Sequence, residues 1–106
     1  MTIIANKKYG KALIKCIANT TISLANLQMS GETVRAARIT EVYWTGPWTV
    51  KRGANTVLQL TDGQDNWIFD GDAALAQDDT ASLVFENGTP AGTIIVEVNK
   101  ITEDEQ

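Results

Sequence analysis

The chain contains no histidine. That removes the commonest general base and the commonest metal ligand, and with them any Ser-His-Asp triad or Cys-His pair. Cysteine is reduced to Cys16, which rules out an internal disulfide. Cys16 occupies an apolar strand position and reads as a small buried hydrophobe. Neither a phosphate-cradling GxxxxGK[ST] loop nor a GxGxxG turn is present. Paired carboxylates could still cleave a glycosidic bond. Here, however, the acids lie in Gly- and Asn-rich turns, and 106 residues leave little room for a cleft. The expectation is a non-enzyme with no catalytic residue and no cofactor.

Long apolar runs are also missing. Nothing approaches the ~20 residues of a membrane helix, so no membrane partner is expected. Met1-Thr2-Ile3-Ile4-Ala5 is too short for the apolar region of a secretory signal, which with the lone Cys16 points to a reducing cytoplasm. Excess positive charge is lacking too. Nine basic residues face thirteen acidic ones, for a net charge of −4. Duplex-binding domains are more often basic, so no nucleic-acid partner is expected. Lys7, Lys8, Lys11 and Lys15 read as a solvated N-terminal segment. Asp62, Asp65, Asp70, Asp72, Asp78 and Asp79 gather in a loop region, and Glu103, Asp104 and Glu105 in the tail.

What is present is strand signal. With 43% hydrophobic residues the chain can build a core. Lys11–Ile17, Thr20–Leu24, Thr33–Thr45, Trp48–Arg52, Thr56–Thr61, Asn66–Asp70, Ala81–Glu86 and Gly92–Ile101 read as about eight strands with turn residues between them. Gly46-Pro47 stops the third, and Asn87-Gly88 carries a hairpin signal inside a longer loop. Leu83 and Phe85 share one face. So do Ile94, Val96 and Val98, while Thr93, Glu97 and Asn99 face out. The segment 71–80 holds the one plausible helical turn, capped by Asp72. The predicted fold is a single all-β domain over residues 1–106. It is an antiparallel sandwich of about eight strands, jelly-roll-like, frayed over roughly the first 8 and last 5 residues.

Two groups of residues could bind something. Asp62-Gly63-Gln64-Asp65-Asn66 and Asp70-Gly71-Asp72 could offer oxygens to calcium, but their spacing departs from the EF-hand pattern and Asp-Gly makes turns. No metal is expected. Of the three tryptophans, Trp67 reads as core. Trp44 and Trp48 flank one turn, where they could pack inward or form a sugar-stacking platform, with Arg52, Asp62 or Asn66 bonding hydroxyls.

The run Arg38-Ile39-Thr40-Glu41-Val42-Tyr43-Trp44-Thr45-Gly46 leads into Trp48-Thr49-Val50-Lys51-Arg52-Gly53-Ala54-Asn55-Thr56-Val57-Leu58. Trp67-Ile68-Phe69-Asp70-Gly71 and Gly92-Thr93-Ile94-Ile95-Val96-Glu97-Val98-Asn99-Lys100 follow. Together they resemble the small structural proteins of marine tailed phages such as cyanophages, over about two-thirds of the chain. The resemblance implies a β-sandwich of the bacteriophage virion, assembled in the host cytoplasm: a capsid decoration, or cement, protein. Its partner would be the major capsid protein or another virion protein, and open sheet edges favour a homo-oligomer or docking. Trp44, Trp48 and Arg52 are then the expected partner-binding residues, because aromatic and Arg side chains dominate interface hot spots. The alternative is a carbohydrate-binding module for surface attachment, which requires Trp44 and Trp48 to face solvent together.

Overall fold

The computed structural model describes residues 2–8, 10–61, 64–68 and 78–102. Among them run nine strands: β1 (Thr2–Asn6), β2 (Lys11–Cys16), β3 (Thr20–Ile22), β4 (Val34–Thr45), β5 (Trp48–Arg52), β6 (Asn55–Leu60), β7 (Gln64–Ile68), β8 (Leu83–Asn87) and β9 (Ile94–Thr102). They form a five-stranded sheet, β1-β2-β9-β4-β7, and a four-stranded sheet, β3-β8-β5-β6. All pairings are antiparallel.

The pairings nest. β5 pairs with β6, β4 with β7, β3 with β8, and β2 with β9. The chain is thus one long folded-back ribbon, with the β5–β6 hairpin at its tip, rolled so that alternate pairs fall in opposite sheets. This is the jelly-roll arrangement, and the all-β sandwich expected from the strand pattern is the fold observed. β1 adds a further strand beyond β2. Its apolar Ile3 faces Ile14 across a ladder interrupted by one bulge.

The core lies between the sheets and is supplied by alternation. In β9, Ile94, Val96 and Val98 are buried; across from them stand Val50 of β5 and Leu83 and Phe85 of β8. Ala12, Ile14 and Cys16 line the same layer from β2. Burial raises the Cys16 thiol above its ordinary value, against smaller lowering effects from Thr20 and the amino terminus.

Two connections differ from expectation. A 3₁₀ turn at Leu24–Leu27 was not foreseen. It is set by Asn26, whose Oδ1 accepts from the Ser23 backbone N–H at 2.9 Å and the Ser23 hydroxyl at 3.0 Å, a local bond typical of these residues. Asn87-Gly88 does not close a hairpin, since β8 and β9 lie in different sheets and neither residue takes positive φ. Instead the Asn87 side chain clasps the crossing loop, donating to the Pro47 carbonyl at 2.9 Å and accepting from the Gly92 N–H at 3.1 Å. Gly92 runs so near β4 that a Cβ there would lie 1.7 Å from the Thr45 carbonyl oxygen. The helical turn expected over Asp72–Gln77 lies outside the described residues.

Candidate functional site: an apolar outer face and its hollow

Trp48 and Arg52, expected at a partner interface, are each only 1% exposed. They alternate with Val50 along β5, so all three point into the sandwich. Trp48 is core, with its indole N–H on the Thr45 carbonyl at 3.0 Å. Arg52 is a tie. Its guanidinium donates to the backbone carbonyls of Ala37, Asp79 (2.7 Å) and Ala81 (2.9 Å). This fastens the segment after Asp78 to β4 and β5, aided by the Arg38–Asp79 ion pair at 2.8 Å. Burial lowers the Arg52 pKa, and the Asp79 and Asp78 charges act against that shift. Trp44 is half-buried against the core edge, its N–H on the Thr61 carbonyl at 3.1 Å. The side chains of Trp48 and Arg52 therefore offer no surface to a partner, and Trp44 and Trp48 form no joint platform.

Trp67 departs from expectation the other way, at 51% exposed. It pairs with the buried Val42, but β7 borders its sheet, and among the described residues no strand lies on its other flank. Phe69, Asp62, Asp70 and Asp72 lie outside the described residues. Asp65 and Asn66 sit on β7 and are exposed. Lys7, Lys8, Lys11 and Lys15 are exposed as well.

A second buried ion was missed. The Lys100 ammonium meets Glu32 Oε1 at 2.7 Å, both side chains fully buried. Lys100 also donates to Asn6 Oδ1, and Asn6 Nδ2 donates to the Leu27 carbonyl at 3.0 Å. The same Glu32 oxygen accepts from the Met29 N–H at 3.0 Å. A polar knot thus joins β1, β9 and the 3₁₀ turn at one end of the sandwich. The signal was legible: Lys100 is in phase with Ile94, Val96 and Val98.

With these residues inside, the outer faces remain. That of the four-stranded sheet is mostly polar, with the half-buried Val84 between Thr21 and Lys51. Lys51 pairs with Glu86 at 3.1 Å, and Gln59 donates to the Thr49 hydroxyl at 3.0 Å. The outer face of the five-stranded sheet carries instead an apolar stripe that bends around two acids. Leu13, Glu97, Glu41 and Ile68 form one rung across β2, β9, β4 and β7, and Ile95 and Tyr43 pair on the next outward rung. Leu13 and Ile95 are half-buried; Tyr43 is 47% and Ile68 53% exposed. Charges border the stripe. Lys11 pairs with Glu97 at 3.2 Å, and Thr40 donates to Glu97 at 2.8 Å. The Thr40 bond is the main cause that lowers the Glu97 pKa; Lys11 helps and burial opposes.

A hollow of about 460 Å³ opens at the end of this face, lined by Tyr43, Trp44, Thr45, Asp65, Asn66, Thr93 and Ile95. Its size is that of a small-ligand pocket. Tyr43, Asn66 and Ile95 are direct ladder neighbours, and Trp44 and Asp65 pair one position on. A hydrogen bond to Glu41, followed by the Glu41 charge, raises the Tyr43 phenol above its ordinary value. The Asp65 carboxylate accepts the Asn66 N–H at 2.8 Å. The sequence singles out Trp44, Asp65 and Asn66 as candidate binding residues but not the hollow itself, because Tyr43 reaches Asn66 and Ile95 only through long-range pairing. No family model, curated protein or solved structure matches the chain.

Proposed function

We propose that this chain is a virion structural protein that docks on the capsid lattice of a tailed phage through the outer face of its five-stranded sheet. The observation that carries the reading is the stripe of Leu13, Ile95, Tyr43 and Ile68, which bends around Glu97 and Glu41. Exposed apolar and aromatic side chains interleaved with charged ones are the composition of a non-obligate protein interface. The face is roughly 20 Å by 30 Å from strand spacing and length, the scale of the ~800 Å² that a standard interface takes from each partner. The family resemblance supplies the identity of the partner. The jelly-roll fold alone does not, since it hosts capsid proteins and lectins alike. The carbohydrate alternative rested on a platform of Trp44 and Trp48, and the burial of Trp48 removes its support.

Mixing the purified protein with capsids that lack it tests the reading. Binding should saturate at a fixed copy number per capsomer, and loaded capsids should withstand heat better than bare ones. Ile68→Glu should weaken binding by roughly tenfold or more, as expected for an interface anchor, while the free domain melts as before. A protein that ignores capsids and is retained on polysaccharide would return the carbohydrate reading.

A further inference from the structure

We propose that Lys100 and Asn6 join in an intramolecular isopeptide bond, with Glu32 carrying the protons. The bond does not depend on docking to any partner. Three reactive groups meet inside the sandwich. The Lys100 Nζ donates to Asn6 Oδ1 at 2.5 Å and to Glu32 Oε1 at 2.7 Å. An amide C=O bond is about 1.23 Å, so Asn6 Cγ lies at most that much farther from Nζ, near the ~3–3.5 Å reach of an attacking atom. Asn6 Nδ2, the leaving nitrogen, is held by the Leu27 carbonyl at 3.0 Å, and the Met29 N–H fixes Glu32 Oε1 at 3.0 Å. The ladder agrees with this meeting. Asn6 pairs with the buried Ala12, Ala12 pairs with the buried Val98, and Lys100 follows Val98 on the same face.

Stability alone is a weak reason for this arrangement. Both side chains of the Lys100–Glu32 pair are fully buried, whereas the other three ion pairs among the described residues reach solvent. Burying two charges costs about as much as their attraction returns. A dry site that holds an amine, a carboxamide carbon and a proton carrier in contact is instead equipped for amide transfer. Glu32 takes one proton from the Lys100 ammonium. The freed lone pair attacks Asn6 Cγ, and the C=O electron pair moves to Oδ1. Glu32 passes its proton to Nδ2 and takes a second from Nζ. The C=O re-forms, the Cγ–Nδ2 bond breaks, and ammonia leaves past the half-buried Asn6. The products are a neutral amide and a neutral Glu32 carboxylic acid, so the buried charges are gone. The bond ties β1 to β9 across β2 and closes a loop over a separation of 94 residues. A cross-link of that span should raise the melting temperature by roughly 20 °C.

Intact-mass spectrometry of the purified, denatured protein tests this. The wild type should be lighter than its sequence by one ammonia, and fragmentation of its proteolytic peptides should join Asn6 to Lys100. Succinimide formation at Asn87-Gly88 would remove the same mass, so a loss traced to that site would overturn the proposal, as would a folded wild type of full mass. Asn6→Asp should lose one water instead of ammonia and melt close to the wild type. Asn6→Ala keeps both members of the ion pair, and should show full mass and melt roughly 20 °C lower. An Asn6→Asp protein of full mass would overturn the proposal. Glu32→Gln should form the bond at least a hundredfold more slowly, and an equal rate would remove Glu32 from the reaction. That variant leaves the Lys100 charge buried; if it does not fold, the two Asn6 variants decide.

Discussion

The two sheets are alike inside and unlike outside. Both turn apolar side chains inward, mainly Val, Ile and Ala from the five-stranded sheet and Leu, Val, Phe and Trp from the four-stranded one, by an alternation broken at bulges in β4 and between β5 and β6. Outward, the four-stranded sheet shows Thr49 bonded to Gln59, Lys51 paired with Glu86 and a half-buried Val84, whereas the five-stranded sheet shows Leu13, Ile95, Tyr43 and Ile68. A face whose polar groups already satisfy each other gains little from a partner. A face that leaves a contiguous apolar stripe in water gains from covering it. The difference therefore separates the side that needs only solvent from the side suited to contact.

The interior is shared, so the largest effects should fall there and leave the contrast between the faces blind. Phe85→Ala should cost roughly 3–5 kcal/mol of stability through lost transfer energy and a cavity, measured by denaturant unfolding. An unchanged midpoint would show that Phe85 is not core. In an Asn6→Ala background, which keeps the ion pair without the bond, Lys100→Met should cost about 3–5 kcal/mol, because it strands the buried Glu32 charge. Adding Glu32→Leu should recover much of that loss, which would separate charge stranding from poor packing. The faces themselves should split at the next level. Ile68→Lys and Thr21→Lys should each move stability by no more than about 0.5 kcal/mol, as exposed positions do. Only the first should lower capsid occupancy, and equal losses would erase the distinction. The smallest effect concerns Glu97, whose pKa lies below its ordinary value of 4.5. Its contribution is present above that value and is lost as pH falls through the folded pKa. Thr40→Val, which deletes the main cause, should flatten this part of the acid unfolding profile.

Local alternation carried the strands and the core. Ile94, Val96 and Val98 were placed correctly because period two needs no knowledge of partners. The same rule, followed along β5 and β9, places Trp48 and Arg52 beside Val50 and Lys100 beside Val98. Residue type was weighed above phase at Trp48 and Arg52, and their surface role followed from that. Strand nesting, the Lys100–Glu32 pair and the hollow were not legible as wholes. Each joins residues far apart in sequence, such as Lys100 with Glu32 and Tyr43 with Ile95. β1 was missed for a related reason: an edge strand of five residues next to lysines has too few positions to show a period.

The position of β9 has a consequence for synthesis. It is the last of the nine strands to leave the ribosome, yet it lies at the centre of its sheet, between β2 and β4. Until it arrives, β1–β2 and β4–β7 are separate fragments, and closing the sheet requires contacts across most of the chain, which slows folding. Ile95, in the middle of the apolar stripe, comes with it. The nascent protein therefore has no contiguous outer face to present to other copies or to a growing shell, and its stickiest surface is completed in the same step that completes the fold.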